Sequence, residues 1–261
     1  MKIGMGLPIN QRSGAFSPSV LFASGEVGDW FDPSDLSRLF QDGAGTTPVT
    51  ADGQEVGRMI GQKGNVILTA AIGKKPLYKT SGGLHWLQFD GTDDGFASST
   101  TLNMTGTDEV TFCLGIRKLS DAAVTVPLEL GPDAGGATGA FYLASPRFPS
   151  EYYQMLSRGT GTSVSSFTAS GAAPDTAVVT GLAKISGDTT TIRRNGVAAT
   201  DATDQGTGNY SDATLYVGNR AGTTFFLNGN IYFLLVRGSM TSGGQLSDLE
   251  SFAARKCGVT I

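Results

Sequence analysis

Three carboxylates close together, Asp90, Asp93 and Asp94, follow the run LHWLQFD that begins at Leu84. Oxygen ligands so placed could serve Ca2+, which takes six to eight of them at about 2.3–2.6 Å. The same residues also suit a turn around Gly91 in which Asp side chains accept backbone N–H groups. No D-x-D-x-D-G loop accompanies them, and both readings stay open. Aromatic and arginine side chains offer a second chemistry, the recognition of sugars. SPRFPSEYY, starting at Ser145, is the strongest such segment, because its prolines favour an accessible loop carrying Arg147, Tyr152 and Tyr153. Adjacent strand residues point to opposite faces, so at most one of the two tyrosines can face a ligand. Tyr210, Asn219, Arg220 and Phe225 form a weaker second set.

Hydrolytic chemistry finds less support. Retaining glycoside cleavage needs two carboxyls about 5–5.5 Å apart. The six glutamates, Glu26, Glu55, Glu109, Glu129, Glu151 and Glu250, include no close pair in sequence. His85 is the only histidine, which removes a His-rich zinc site. Cys113 and Cys257 are too few for a disulfide framework and read as two buried thiols. The chain reads as a non-enzyme, with calcium as the one cofactor its residues could hold.

Bulk properties narrow the partners. A net charge of −4 argues against nucleic acid, which demands clustered Lys and Arg. The longest fully apolar run, 231–236, is far short of the roughly 20 residues that span a bilayer. Glycine is abundant at 37 residues and charge is sparse at 16%, a composition suited to many short strands and turns.

The elements that must position these residues follow from pattern. Residues 1–28 carry five glycines and two prolines with no apolar period and predict an extended N-terminal arm. Asp32, Pro33 and Asp35 open a predicted short helix over 33–41, with Leu36, Leu39 and Phe40 on one face. Strands are expected near 76–79, 84–90, 109–118, 124–130, 139–144, 151–156 and 163–169. Five more are expected near 176–184, 188–194, 197–200, 213–218 and 225–237. Asn195-Gly196 marks a type I′ hairpin turn. Ser242 and Gln245 suggest a capping box for a closing helix that Gly258 stops. This rhythm predicts an all-β, two-sheet antiparallel sandwich over 29–261, with one short N-terminal helix and one C-terminal helix.

Three segments carry a family resemblance. LQFDGTDDGF from Leu87, IRRNGVA from Ile192 and LYVGNRAGTTFFLNGNIYFLLVRGSM from Leu215 resemble, in that order, laminin-G-like, concanavalin-A-like jelly rolls. The stretch from Ser17 to Ile60 resembles the opening of tailed-bacteriophage structural proteins, although Gly61-Gln-Lys-Gly-Asn65 is a shortened form of the turn that usually follows. That second resemblance implies a virion component, assembled in the host cytoplasm, homo-oligomeric and docked to other virion proteins through its arm. Host-surface glycan binding is the alternative, and a glycoside hydrolase the remaining one.

Overall fold

The computed structural model describes residues 16–131, 136–147, 150–168 and 170–261. Its strands, in chain order, begin with β1 (Gly28–Phe31), β2 (Leu39–Phe40), β3 (Arg58–Ile60), β4 (Ile67–Thr69), β5 (Leu77–Ser81) and β6 (Leu84–Asp90). They continue with β7 (Phe96–Ser98), β8 (Leu102–Asn103), β9 (Glu109–Lys118), β10 (Leu128–Leu130), β11 (Ala140–Ala144) and β12 (Gln154–Arg158). The last are β13 (Ser163–Phe167), β14 (Asp175–Lys184), β15 (Thr189–Arg194), β16 (Val197–Asp201), β17 (Asp212–Ala213), β18 (Leu215–Val217) and β19 (Asn228–Arg237), before helix α1 (Gly243–Cys257).

Two sheets form the sandwich. The first runs β16-β15-β14-β9-β19-β6-β5, with β1 also paired to β19. The second runs β13-β12-β11-β10-β18-β7-β4-β3-β2. Neighbouring strands pair antiparallel throughout, for example Val179 with Leu114 and Leu143 with Met155. Period-2 alternation sends Phe112, Leu114 and Ile116 of β9 inward to meet Phe141, Leu143 and Met155 of the opposite sheet. The inner residues are close-packed. A Cβ on Gly181 would lie 2.1 Å from the Phe112 ring and 2.6 Å from the Met155 sulfur.

A second apolar layer lies outside the first sheet. Helix α1 lays Leu249, Ala253 and Cys257 against Cys113, Val178, Phe233 and Leu235. Gly115 permits the close approach, since a Cβ there would stand 3.2 Å from the Ala253 carbonyl oxygen. Ser242 precedes the helix in extended conformation but its side chain makes no capping hydrogen bond, so the expected capping box is not formed. Gly258 ends the helix at φ +72°, as its position predicts. Cys113 and Cys257 are both free and buried, and burial pushes the Cys257 thiol up to about 11.

Two expectations need correction. The described part of the predicted arm is folded: a 3-10 turn, Pro18–Phe22, tucks Leu21 and Phe22 into the layer under α1. Phe22 stacks on Trp30 at 5.4 Å, and Glu26 pairs with Arg237 at 2.7 Å. Apolar side chains at 21 and 22 find a surface that the local glycine pattern does not reveal. Residues 1–15 of that expectation lie outside the described residues. The predicted helix at 33–41 reduces to the 3-10 turn Leu36–Arg38. Leu39 and Phe40 instead pair with Met59 and Arg58, because two ladder residues and a buried Leu39 outweigh a helix too short to propagate.

Candidate functional site

The outer face of the second sheet gathers aromatic, arginine and amide groups. On β11, Phe141 and Leu143 face the inner core while Ala140, Tyr142 and Ala144 face out. The same alternation turns Glu129 of β10, Gln154 and Leu156 of β12, and Tyr216 of β18 to the outside. Register then places Ser165, Leu156, Tyr142, Glu129, Tyr216 and Ala97 in one row across six strands. Phe167 lies opposite Gln154 in the neighbouring row and is 43% exposed.

The connection after β18 folds over this row. Arg220 N–H donates to the Thr224 carbonyl at 2.9 Å, and the Asn219 side-chain oxygen accepts the Gly222 N–H at 2.7 Å, closing a tight turn. Ala221 and Phe225 both take φ near +53°, an uncommon conformation for residues with a side chain. Val126 N–H donates to the Phe225 carbonyl at 2.8 Å and ties the turn to the sheet. The result sandwiches the Arg220 guanidinium between two rings, 4.9 Å from Tyr142 and 5.0 Å from Phe225. Arg220 Nε donates to Glu129 Oε1 at 3.1 Å, beneath the stack, where Glu129 is fully buried. Tyr142 donates its hydroxyl to Gln154 Oε1 at 3.1 Å, and Gln154 Nε2 donates to Ser165 Oγ at 2.8 Å. Burial raises the Tyr142 phenol above its ordinary value, against the opposing pull of Arg220 and Arg147. This platform is fixed before any ligand arrives.

The sequence-predicted residues divide between rim and core. Arg147 is exposed in the β11–β12 connection, where its N–H donates to the Tyr152 carbonyl at 2.9 Å. Tyr152 is 38% exposed and Tyr153 fully buried, opposite orientations as expected, although both precede β12, which starts at Gln154 and not at 151. Tyr153 is therefore no ligand contact. Its hydroxyl donates to Asp175 Oδ2 at 2.8 Å, and the Lys118 ammonium sits 5.1 Å over its ring. Tyr210 is likewise a core residue, hydrogen-bonded to Ser157 at 2.7 Å and packed edge-on against Phe141. Asn219 is buried and shapes the turn. Arg220 and Phe225 belong to the platform. Tyr142, Gln154 and Phe167 were missed by the sequence reading. Alternation in AFYLA and SVSSF marks outward positions there, but which strands lie side by side is set by long-range pairing.

Asp90, Asp93 and Asp94 do converge, with ligand atoms within 4.8 Å of one another. Asp90 Oδ1 accepts the N–H groups of Thr92 at 2.8 Å and Asp93 at 3.3 Å, and Asp94 Oδ2 accepts that of Asp90 at 3.0 Å. Burial first, then the negative charge of Asp90, pushes Asp94 up to about 6. Two of the three carboxylates thus hold the turn, with oxygens left over that suit a hard cation.

No protein-family model matches the sequence. No curated protein matches it. Among solved structures, a mutant GH54 α-L-arabinofuranosidase soaked with 4-nitrophenyl α-L-arabinofuranoside superposes with a TM-score of 0.59 at 13% identity, over 92% of this chain and 66% of that one. The ligand-binding domain of botulinum neurotoxin serotype D, in complex with N-acetylneuraminic acid, gives 0.54 at 10% identity, over 76% and 48% of the two chains. The CBM40 module of a Ruminococcus gnavus IT-sialidase, bound to α2,3-sialyllactose, gives 0.43 at 17%, over 56% and 83%, too low to carry weight. At these identities the likeness establishes architecture alone, and the chain is a two-sheet antiparallel jelly-roll sandwich, concanavalin-A-like in form.

Proposed function

We propose that the protein binds a glycan on the outer face of the second sheet. The observation that carries this reading is the prefixed stack of Tyr142, Arg220 and Phe225 over buried Glu129. Phe225, 40% exposed, offers an aromatic face to the C–H side of a sugar at little entropic cost, and the partly exposed Arg220 guanidinium reads its hydroxyls. Buried Tyr142 and Gln154 hold the guanidinium in place from beneath. Tyr152 and Phe167, exposed at the same end of the face, extend the platform. Two structures of the same architecture were each obtained with a sugar or sugar derivative, which makes sugars the first ligand class to try.

The reading is of binding without cleavage. Glu129 is committed to Arg220, and Glu151 accepts a hydrogen bond from Ser170, so neither stands ready as acid or nucleophile. Virion placement and homo-oligomerisation rest on the bacteriophage resemblance of the Ser17–Ile60 stretch, and a tail or capsid subunit displaying this face is compatible with glycan recognition. A panel of immobilised glycans tests the proposal. The protein should retain at least one of them and release no sugar from it. Tyr152→Ala with Phe167→Ala should cut that binding about tenfold or more, with the melting temperature unchanged. Retention of no glycan, or equal binding by the double variant, would contradict it.

A further inference from the structure

A second candidate site lies on the other side of the molecule. The end of α1 and the β5–β6 turn enclose a cavity of about 320 Å3 lined by Ser34, Gly83, Leu84, His85, Arg255 and Lys256. No carboxylate lines it. Asp32, which adjoins two of the lining residues, is already consumed: it pairs with Lys256 at 2.5 Å and accepts the Ser34 N–H at 3.0 Å and hydroxyl at 2.6 Å. Lys256 also donates to Ser34 Oγ at 2.9 Å, so its charge is balanced by Asp32 and one of its three N–H groups is left at the cavity wall for a ligand, with Arg255 carrying the uncompensated charge.

Two further donors have no acceptor among the described residues. The exposed Arg255 makes only a cation–π contact, 5.7 Å over the Phe252 ring. His85 Nδ1 is held by the buried Tyr78 hydroxyl at 2.7 Å. A phenol is the natural donor of that pair, which leaves the ring proton on Nε2 with nothing to accept it. The helix end would ordinarily repel an anion. Here the Ala254 carbonyl accepts the N–H groups of both Gly258 and Val259, which reduces that repulsion at one carbonyl and leaves the basic side chains to outweigh the rest.

From this convergence of Arg255, Lys256 and His85 on one cavity, we propose that it binds a sulfate or phosphate group, free or carried as an ester on a sugar. The site does not depend on the glycan face, since it lies beside the first sheet and shares no residue with it.

The single histidine makes the test direct, because His85 gives one imidazole signal by NMR. Sodium sulfate is titrated at constant ionic strength. His85 should shift along a saturating curve, and Arg255→Gln should weaken the binding at least about tenfold, the worth of one charge-assisted hydrogen bond. Arg255 is exposed, so the variant keeps the fold. A linear drift without saturation, or saturation in Arg255→Gln at the wild-type concentration, overturns the proposal. A sulfated disaccharide separates the two sources: tighter binding than sulfate supports an ester on a sugar, and equal binding supports the free ion. The Tyr152→Ala, Phe167→Ala variant should respond like wild type, so failure of the glycan face leaves this result intact.

Discussion

At Asp94, burial and the neighbouring Asp90 carboxylate act together to favour the protonated form, up to about 6 from an ordinary value of 3.8. The folded protein therefore holds that proton more tightly than the unfolded chain. This contribution makes the fold less stable as pH rises between about 4 and 6, and the loss is complete above 6. Asp94→Asn removes the penalty and keeps an oxygen for the Asp90 N–H. It should raise stability at pH 7.5 by on the order of 1 kcal/mol, discounted for partial solvent screening, and flatten the pH dependence between 4 and 6. Urea melts across that range check it; a lower midpoint for the variant at pH 7.5 would count against this reading. Millimolar calcium tests the other reading of the triad: the ion binds there if it stabilises wild type and not Asp94→Asn. Adjacent Tyr152 and Tyr153 show what residue-level reading achieves, since alternation alone assigned them to opposite faces. It did not show which was outward, because that is set by the hydrogen bond of Tyr153 to Asp175, which lies far along the chain.

Elements were legible where pattern and punctuation agree. Expected strands at 84–90 and 109–118 match β6 and β9 to the residue, and the Asn195-Gly196 turn joins β15 to β16. The short strands β1 and β7 were not legible, and β3 and β4 were legible only as two short strands somewhere within 43–75, because three or four residues carry too little period and their partners are distant, as with Trp30 opposite Leu235. Two substitutions test the packing of these elements. Gly181→Ala forces a methyl into Phe112 and Met155 and should cost about 1–3 kcal/mol by denaturant melt. Leu21→Ala opens a cavity beneath α1 and should cost about 2–5 kcal/mol. An unchanged midpoint for Leu21→Ala would mean that Pro18–Phe22 is not part of the folded layer. It follows that a truncation at Gly28 would remove packing along with any docking function. Self-association through the first 16 residues is better read by light scattering on a chain starting at Ser17.

For the whole molecule, the jelly-roll sandwich places two differently equipped surfaces on opposite sides. One is an aromatic and arginine face on the second sheet, and the other a basic cavity beside the first. Composition and strand rhythm were enough to reach a two-sheet sandwich, and its jelly-roll form came from the resemblance of the segments at Leu87, Ile192 and Leu215. The platform was not legible, because Tyr142, Glu129 and Arg220 meet only once β10, β11 and β18 are aligned. The central claim is that glycan binds on that face. Its most direct test is amide chemical-shift mapping as the best-retained glycan of the panel is titrated in. The account predicts saturable shifts at Tyr142, Gln154, Ser165 and Phe225, with the residues under α1 unmoved. Shifts confined to the first sheet or its helix, with those four amides silent, would contradict it.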